Sequence, residues 1–154
     1  SVSRGLGDVY KRQAYSVGVS EEEVKLARLL GEYIGICFQI KDDIFDYFDS
    51  KEIGKPTGND MLEGKLTLPV LYALNRANDN QATEIALKVK EGTATLDEIA
   101  RLIAFTKENG GIEYAVRTMN AYKQKAFGLL ASLPDSAICV ALRSYLDYVV
   151  DREK

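Results

Sequence analysis

The sequence predicts an all-α fold, on three observations. Apolar residues recur at helical spacing almost throughout from Val19 onward. Two capping boxes, Ser20-Glu21-Glu22-Glu23 and Thr95-Leu96-Asp97-Glu98, mark helix starts. No stretch alternates apolar and polar residues as a half-buried strand would.

The first helix opens at Ser20 and carries Val24, Ala27, Leu30, Ile34, Cys37 and Phe38 along its apolar face. Its pattern runs to about Tyr47, a span on the order of 40 Å. Residues Ser50 to Gly64 form the one long irregular stretch, with three Gly and one Pro, of a length expected of a functional or disordered loop. Helices resume from Leu68 to about Ala77, with Pro69 in the first turn where its missing N–H costs nothing. Further helices are expected near Gln81 to Lys90, from Thr95 to a stop at Gly110-Gly111, from Ile112 to about Leu133, and from Ser136 to about Val150. Residues 1–13 carry no helical period and join abruptly onto Ala14, so they read as a non-native or disordered segment outside the fold.

A chain of 154 residues suits one domain with a real core. Its net charge of −3 gives no footprint for nucleic acid. No apolar run reaches the ~18 residues that span a bilayer, and the polar N-terminus does not read as a secretion signal. Cys37 and Cys139 sit in apolar helical stretches and read as reduced core thiols of a cytoplasmic protein. Histidine is absent, which removes Ser-His and Cys-His nucleophiles and His-ligated zinc. Any chemistry must run on carboxylates, lysines, hydroxyls or a bound ion.

The first helix ends on Asp42, Asp43 and Asp46, whose offsets of three and four place them on one face. Carboxylates ~6 Å apart repel by roughly 0.7 kcal/mol per pair in water, and these also stand at the negative end of the helix dipole. A solvated acidic face is one explanation of such a triplet. Its neighbours favour another: Phe38, Ile40, Ile44, Phe45 and Tyr47 surround it with apolar surface, and the loop beyond returns Lys55 and Lys65. Oxygen ligands without imidazole or thiolate point to Mg²⁺, with Mn²⁺ as a substitute. Such an ion beside lysines is the chemistry of a diphosphate site.

Three linked blocks carry a family resemblance: residues 35–47 (GICFQIKDDIFDY), 54–60 (GKPTGND) and 64–69 (GKLTLP). In order and spacing they resemble the second aspartate-rich motif of the trans-type polyprenyl (isoprenyl) diphosphate synthases, with its adjoining loop and helix start. The resemblance covers residues 14–154 and places them on the C-terminal portion of the isoprenoid synthase helical bundle.

It implies a prenyltransferase of isoprenoid biosynthesis that condenses an allylic diphosphate with isopentenyl diphosphate. By the same resemblance, Asp42 is the main metal ligand, with Asp43 and Asp46 acting directly or through water. Gln39, one turn earlier, hydrogen-bonds in the site, and Lys55 and Lys65 meet the substrate diphosphate. Phe38 walls the cavity, and Asp60 caps or orders the loop. Family members pair two aspartate-rich motifs and are typically homodimers. Only one D-D-x-x-D occurs in this sequence, so the chain by itself is expected to be half a site and inactive. Two competing readings keep the fold: a non-catalytic partner subunit, and a class I terpene synthase. The kept aspartates weigh against the first, and the Gly-Lys-Pro and Gly-Lys-Leu-Thr-Leu-Pro segments against the second. A third, a helical interaction module, leaves the lysines and the Gly-rich loop unexplained.

Overall fold

The computed structural model describes residues 21–48, 57–132 and 137–151, the side chains of the last stretch from residue 140 onward. Among them are seven α-helices and no strand: α1 Glu21–Phe45, α2 Asn59–Leu62, α3 Leu68–Ala77, α4 Asn80–Glu91, α5 Leu96–Glu108, α6 Gly111–Ser132 and α7 Ala137–Asp151. The fold is all-α, as the periodicity predicts. One difference is the helical turn α2, which forms inside the stretch read as irregular.

The helices gather into two compact units. One contains residues 21–41 of α1, residues 118–132 of α6, and α7. Every third or fourth residue of α1 is buried in it: Val24, Ala27, Leu30, Ile34, Cys37 and Ile40. Fully burying one such Leu or Ile contributes about 1.5–3 kcal/mol. Between these positions Leu26, Leu29, Ile36 and Phe38 are half-buried. Cys37 is a free, buried thiol whose Sγ lies 3.5 Å from the Met119 carbonyl oxygen, which accepts its weak hydrogen bond. Burial pushes that thiol up to about 11, against the pull of Lys123. Tyr33 and Tyr122 pack with ring centroids 5.7 Å apart, and Lys125 Nζ lies 4.8 Å from the Tyr122 centroid.

The other unit holds the end of α1, helices α2 to α5 and the start of α6. Its core is Tyr47, Met61, Val70, Ile85, Val89, Ile99, Leu102 and Ile103 with small alanines between them. Local signals start and stop its helices. Asp79 caps α4 by accepting the Ala82 N–H at 2.9 Å, and Gly92 ends it at φ 75°. Thr95 and Glu98 form the expected capping box of α5, with reciprocal bonds of 3.1 and 3.0 Å. Glu98 also takes Lys88 Nζ at 2.8 Å, which ties α5 to α4. Lys88 and the Thr95 cap hold the Glu98 carboxyl down to about 2.

Gly111, the first residue of α6, shows why glycine is needed there. A Cβ at that position would collide with the Pro69 carbonyl oxygen and come within 2.6 Å of Thr106 Cγ2. The start of α6 therefore lies directly on the start of α3 and the end of α5. None of the described helices is long and apolar enough to cross a membrane.

Candidate functional site

The acidic triplet stands where α1 runs out. Helical bonding continues one residue past the helix, with Asp46 N–H donating to the Asp42 carbonyl at 3.2 Å. The chain then tightens, Tyr47 bonding back to Ile44 and Phe48 to Phe45 at 3.1 Å each. Successive helical residues diverge by 100°, and the three carboxylates accordingly have different surroundings. Asp42 is exposed, whereas Asp43 and Asp46 are 8% and 7% exposed.

Both carboxylate oxygens of Asp46 bond to residues 59 and 60. Its Oδ1 accepts the Asn59 N–H and its Oδ2 the Asp60 N–H, both at 3.0 Å. Its own carbonyl accepts the Gly58 N–H at 2.9 Å. These amides are the first of α2, which has no cap from its own N-cap residue because that residue is Gly58. Gly58 adopts φ 77°, and a Cβ there would meet Ile99 Cγ2 at 2.9 Å, so only glycine fits both the backbone and the space. An N-cap supplied from thirteen residues earlier thus joins the end of α1 to the start of α2. The backbone of Asp60 is bonded on both sides: its N–H goes to Asp46 and its carbonyl accepts the Lys65 N–H at 2.7 Å.

Tyr47 makes the second tie. Its ring is 2% exposed and its hydroxyl lies 3.2 Å from Thr67 Oγ1, just ahead of α3. Burial raises its phenol well above the ordinary range, the nearby Asp43 and Asp46 adding to the rise. Phe48 carries Lys107 Nζ 4.5 Å from its ring centroid, a link from the same turn to α5.

The other expected site residues are placed unequally. Gln39 is exposed one turn before Asp42, and Phe38 beside it is half-buried. Lys65 is exposed, its Nζ 3.2 Å from Glu63 Oε2. Lys55 lies outside the described residues. Among the described residues, which include Asp42, Asp43 and Asp46, no three acidic, thiol or imidazole side chains converge so as to hold a metal ion by themselves. The donor set at the end of α1 is carboxylate oxygen, which fits a hard divalent cation held by one or two carboxylates and completed by phosphate oxygens and water. The cap made by Asp46 and the Tyr47–Thr67 and Phe48–Lys107 contacts have no local signature, since each joins residues distant in sequence.

The polyprenyl synthetase family model matches residues 9–106. Among solved structures, the chain resembles geranylgeranyl pyrophosphate synthase from Bacteroides thetaiotaomicron at 71% identity and TM-score 0.88, covering 99% of this chain and 50% of that one. It resembles polyprenyl synthase from Caulobacter crescentus CB15, complexed with calcium and isoprenyl diphosphate, at 28% identity and TM-score 0.79, covering 96% and 45%. Component 2 of heptaprenyl diphosphate synthase from Bacillus subtilis (strain 168) is 35% identical over 141 residues, which are 91% of this chain and 39% of that protein. The chain thus spans half or less of the length of these relatives. Matched by the family model over most of its length and sharing this helical fold, the chain belongs to the polyprenyl synthetase family.

Proposed function

We propose that this chain supplies the second aspartate-rich half of a prenyltransferase site, which joins an allylic diphosphate to isopentenyl diphosphate. The observation that carries the reading is the end of α1, where exposed Asp42 stands beside a turn locked by Asp46 onto residues 58–60. In the reaction the allylic carbon–oxygen bond to diphosphate breaks, a carbon–carbon bond to the isopentenyl double bond forms, and one proton leaves. A bound Mg²⁺ or Mn²⁺ would supply positive charge against the departing diphosphate.

Asp42 is the exposed ligand for that ion, with Asp43 and Asp46 contributing through their remaining lone pairs or through water. Asp46 also keeps the loop ends in place, so that Lys55 can meet the diphosphate. Lys65 must leave Glu63 to do the same, and an exposed pair of this kind holds it only weakly. Gln39 offers a hydrogen bond one turn away, and Phe38 apolar surface that keeps water from a developing carbocation. The 71% identical relative is named for geranylgeranyl pyrophosphate, which favours a product of that length. The parent protein is proposed to act as a homodimer.

With one D-D-x-x-D in 154 residues, the isolated polypeptide is proposed to bind Mg²⁺-diphosphate weakly and not to turn over. A chimera tests the reading: residues 14–154 replace the matching half of the Bacteroides thetaiotaomicron protein. The chimera should incorporate isopentenyl diphosphate into a longer prenyl diphosphate, and Asp42→Ala should abolish this. A folded chimera without turnover, or an Asp42→Ala chimera as active as its parent, would sink it.

A further inference from the structure

A second feature of the unit built from α2 to α5 is unrelated to the aspartates. Tyr72 of α3 and Tyr114 of α6 stack with ring centroids 4.1 Å apart and planes within 5°. Each ring also carries a guanidinium, Arg76 Cζ 6.0 Å from the Tyr72 centroid and Arg117 Cζ 5.9 Å from that of Tyr114. Helical spacing explains both pairs: Arg76 follows Tyr72 by four residues, and Arg117 follows Tyr114 by three. Arg76 Nη1 donates to Tyr72 Oη at 2.9 Å. The Arg76 bond, with the positive charges of Arg76 and Arg117 nearby, pulls the proton affinity of that phenol down.

The charge there is not balanced from within. The chain carries 23 acidic against 20 basic residues, yet neither exposed guanidinium is paired with a carboxylate among the described residues. Glu113, one turn before Arg117, is exposed and not paired with it. Asp79, three residues beyond Arg76, is turned to the cap of α4. The C-terminal end of α3 offsets part of the Arg76 charge. Guanidinium groups already laid on aromatic rings lose little freedom on binding and present fixed forks that match carboxylates. Tyr and Arg are also the side chains that most often dominate protein interfaces.

We propose that Tyr72, Arg76, Tyr114 and Arg117 form a docking surface for an acidic, carboxylate-bearing segment of a protein partner. Charge complementarity selects that occupant. Two arginines on a net-negative chain are too few for nucleic acid, whose affinity rests on many phosphate contacts, and a free anion would leave the aromatic surface unused.

Fluorescence anisotropy of a labelled hexaglutamate peptide, titrated with the full chain, tests the proposal. Saturable binding is expected, weakened at high salt and at least roughly tenfold in the Arg76→Gln/Arg117→Gln double variant. Far-UV circular dichroism of that variant should match the parent. Arg117→Gln alone, on an exposed helical position, serves as the milder variant should the double one unfold, and should weaken binding at least about threefold. No saturable binding, or unchanged affinity in the folded variants, overturns the proposal. Displacement by inorganic phosphate at concentrations comparable to the peptide overturns it too, because the patch is then a simple anion site.

Discussion

Asp46 Oδ1 holds the main-chain N–H of Asn59 at 3.0 Å, so the last carboxylate of the acidic triplet caps a helical turn thirteen residues away. With the Asp60 N–H at 3.0 Å on its other oxygen, this buried side chain joins the end of α1 to the start of α2. The triplet therefore divides its labour: Asp42 faces solvent, and Asp46 builds the turn that presents it.

Asp46→Ala removes two charge-assisted acceptors and strands two amides. Bonds to charged groups are worth about 1.5–3 kcal/mol each, and a loss of about 3 kcal/mol in urea unfolding is expected. Asp46→Asn keeps one acceptor and should lose about half as much. Amide exchange at Asn59 and Asp60 reads the cap directly; unchanged protection factors would show the cap to be idle.

Asp42→Ala should do the opposite. At an exposed helix end the stability change should stay within about 0.5 kcal/mol. Calorimetric titration with Mg²⁺ and inorganic pyrophosphate should lose at least about tenfold in affinity, because an exposed ligand is gone. A variant that unfolds early while still binding would reverse the roles assigned to Asp42 and Asp46.

Gly111→Ala sets a methyl group against the Pro69 carbonyl and the Thr106 methyl. Backbone on one side cannot yield as a flexible side chain would, and overpacking of this kind costs about 1–3 kcal/mol. The thermal midpoint should fall by several degrees, whereas Gly128→Ala, with open space at its Cβ, should be neutral or slightly stabilising. Equal effects at the two glycines would contradict the close approach of α6 to α3.

Acid should find the Lys88–Glu98 tie. The Glu98 carboxyl is held at about 2 in the fold against 4.5 in the open chain. The stability it contributes is complete above pH 4.5 and is lost as pH falls toward 2. Glu98→Gln should flatten that part of the stability profile, and carbon-detected NMR should find the Glu98 carboxylate still ionised at pH 3. A Glu98 titration centred near 4.5 would remove the tie.

Much of the fold was legible in the sequence because its signals are local. Thr95 and Glu98 cap α5 three residues apart, Gly110 stands between α5 and α6, and the apolar period of α1 maps onto buried residues from Val24 to Ile40. The acidic triplet and the blocks after it were legible for the same reason, and the family match agrees with them.

Long-range pairing was not legible. Nothing near Asp46 announces that its carboxylate caps Asn59 and Asp60, so α2 read as part of a loop. Nothing near Tyr72 announces that it stacks on Tyr114. Periodicity, caps and glycines act over one or two turns, so the order of side chains alone determined the helices and the chemical class of the residues at the end of α1. Which carboxylate is spent on structure and which is turned to solvent depends on backbone amides brought from elsewhere in the chain, and only the folded arrangement decides that.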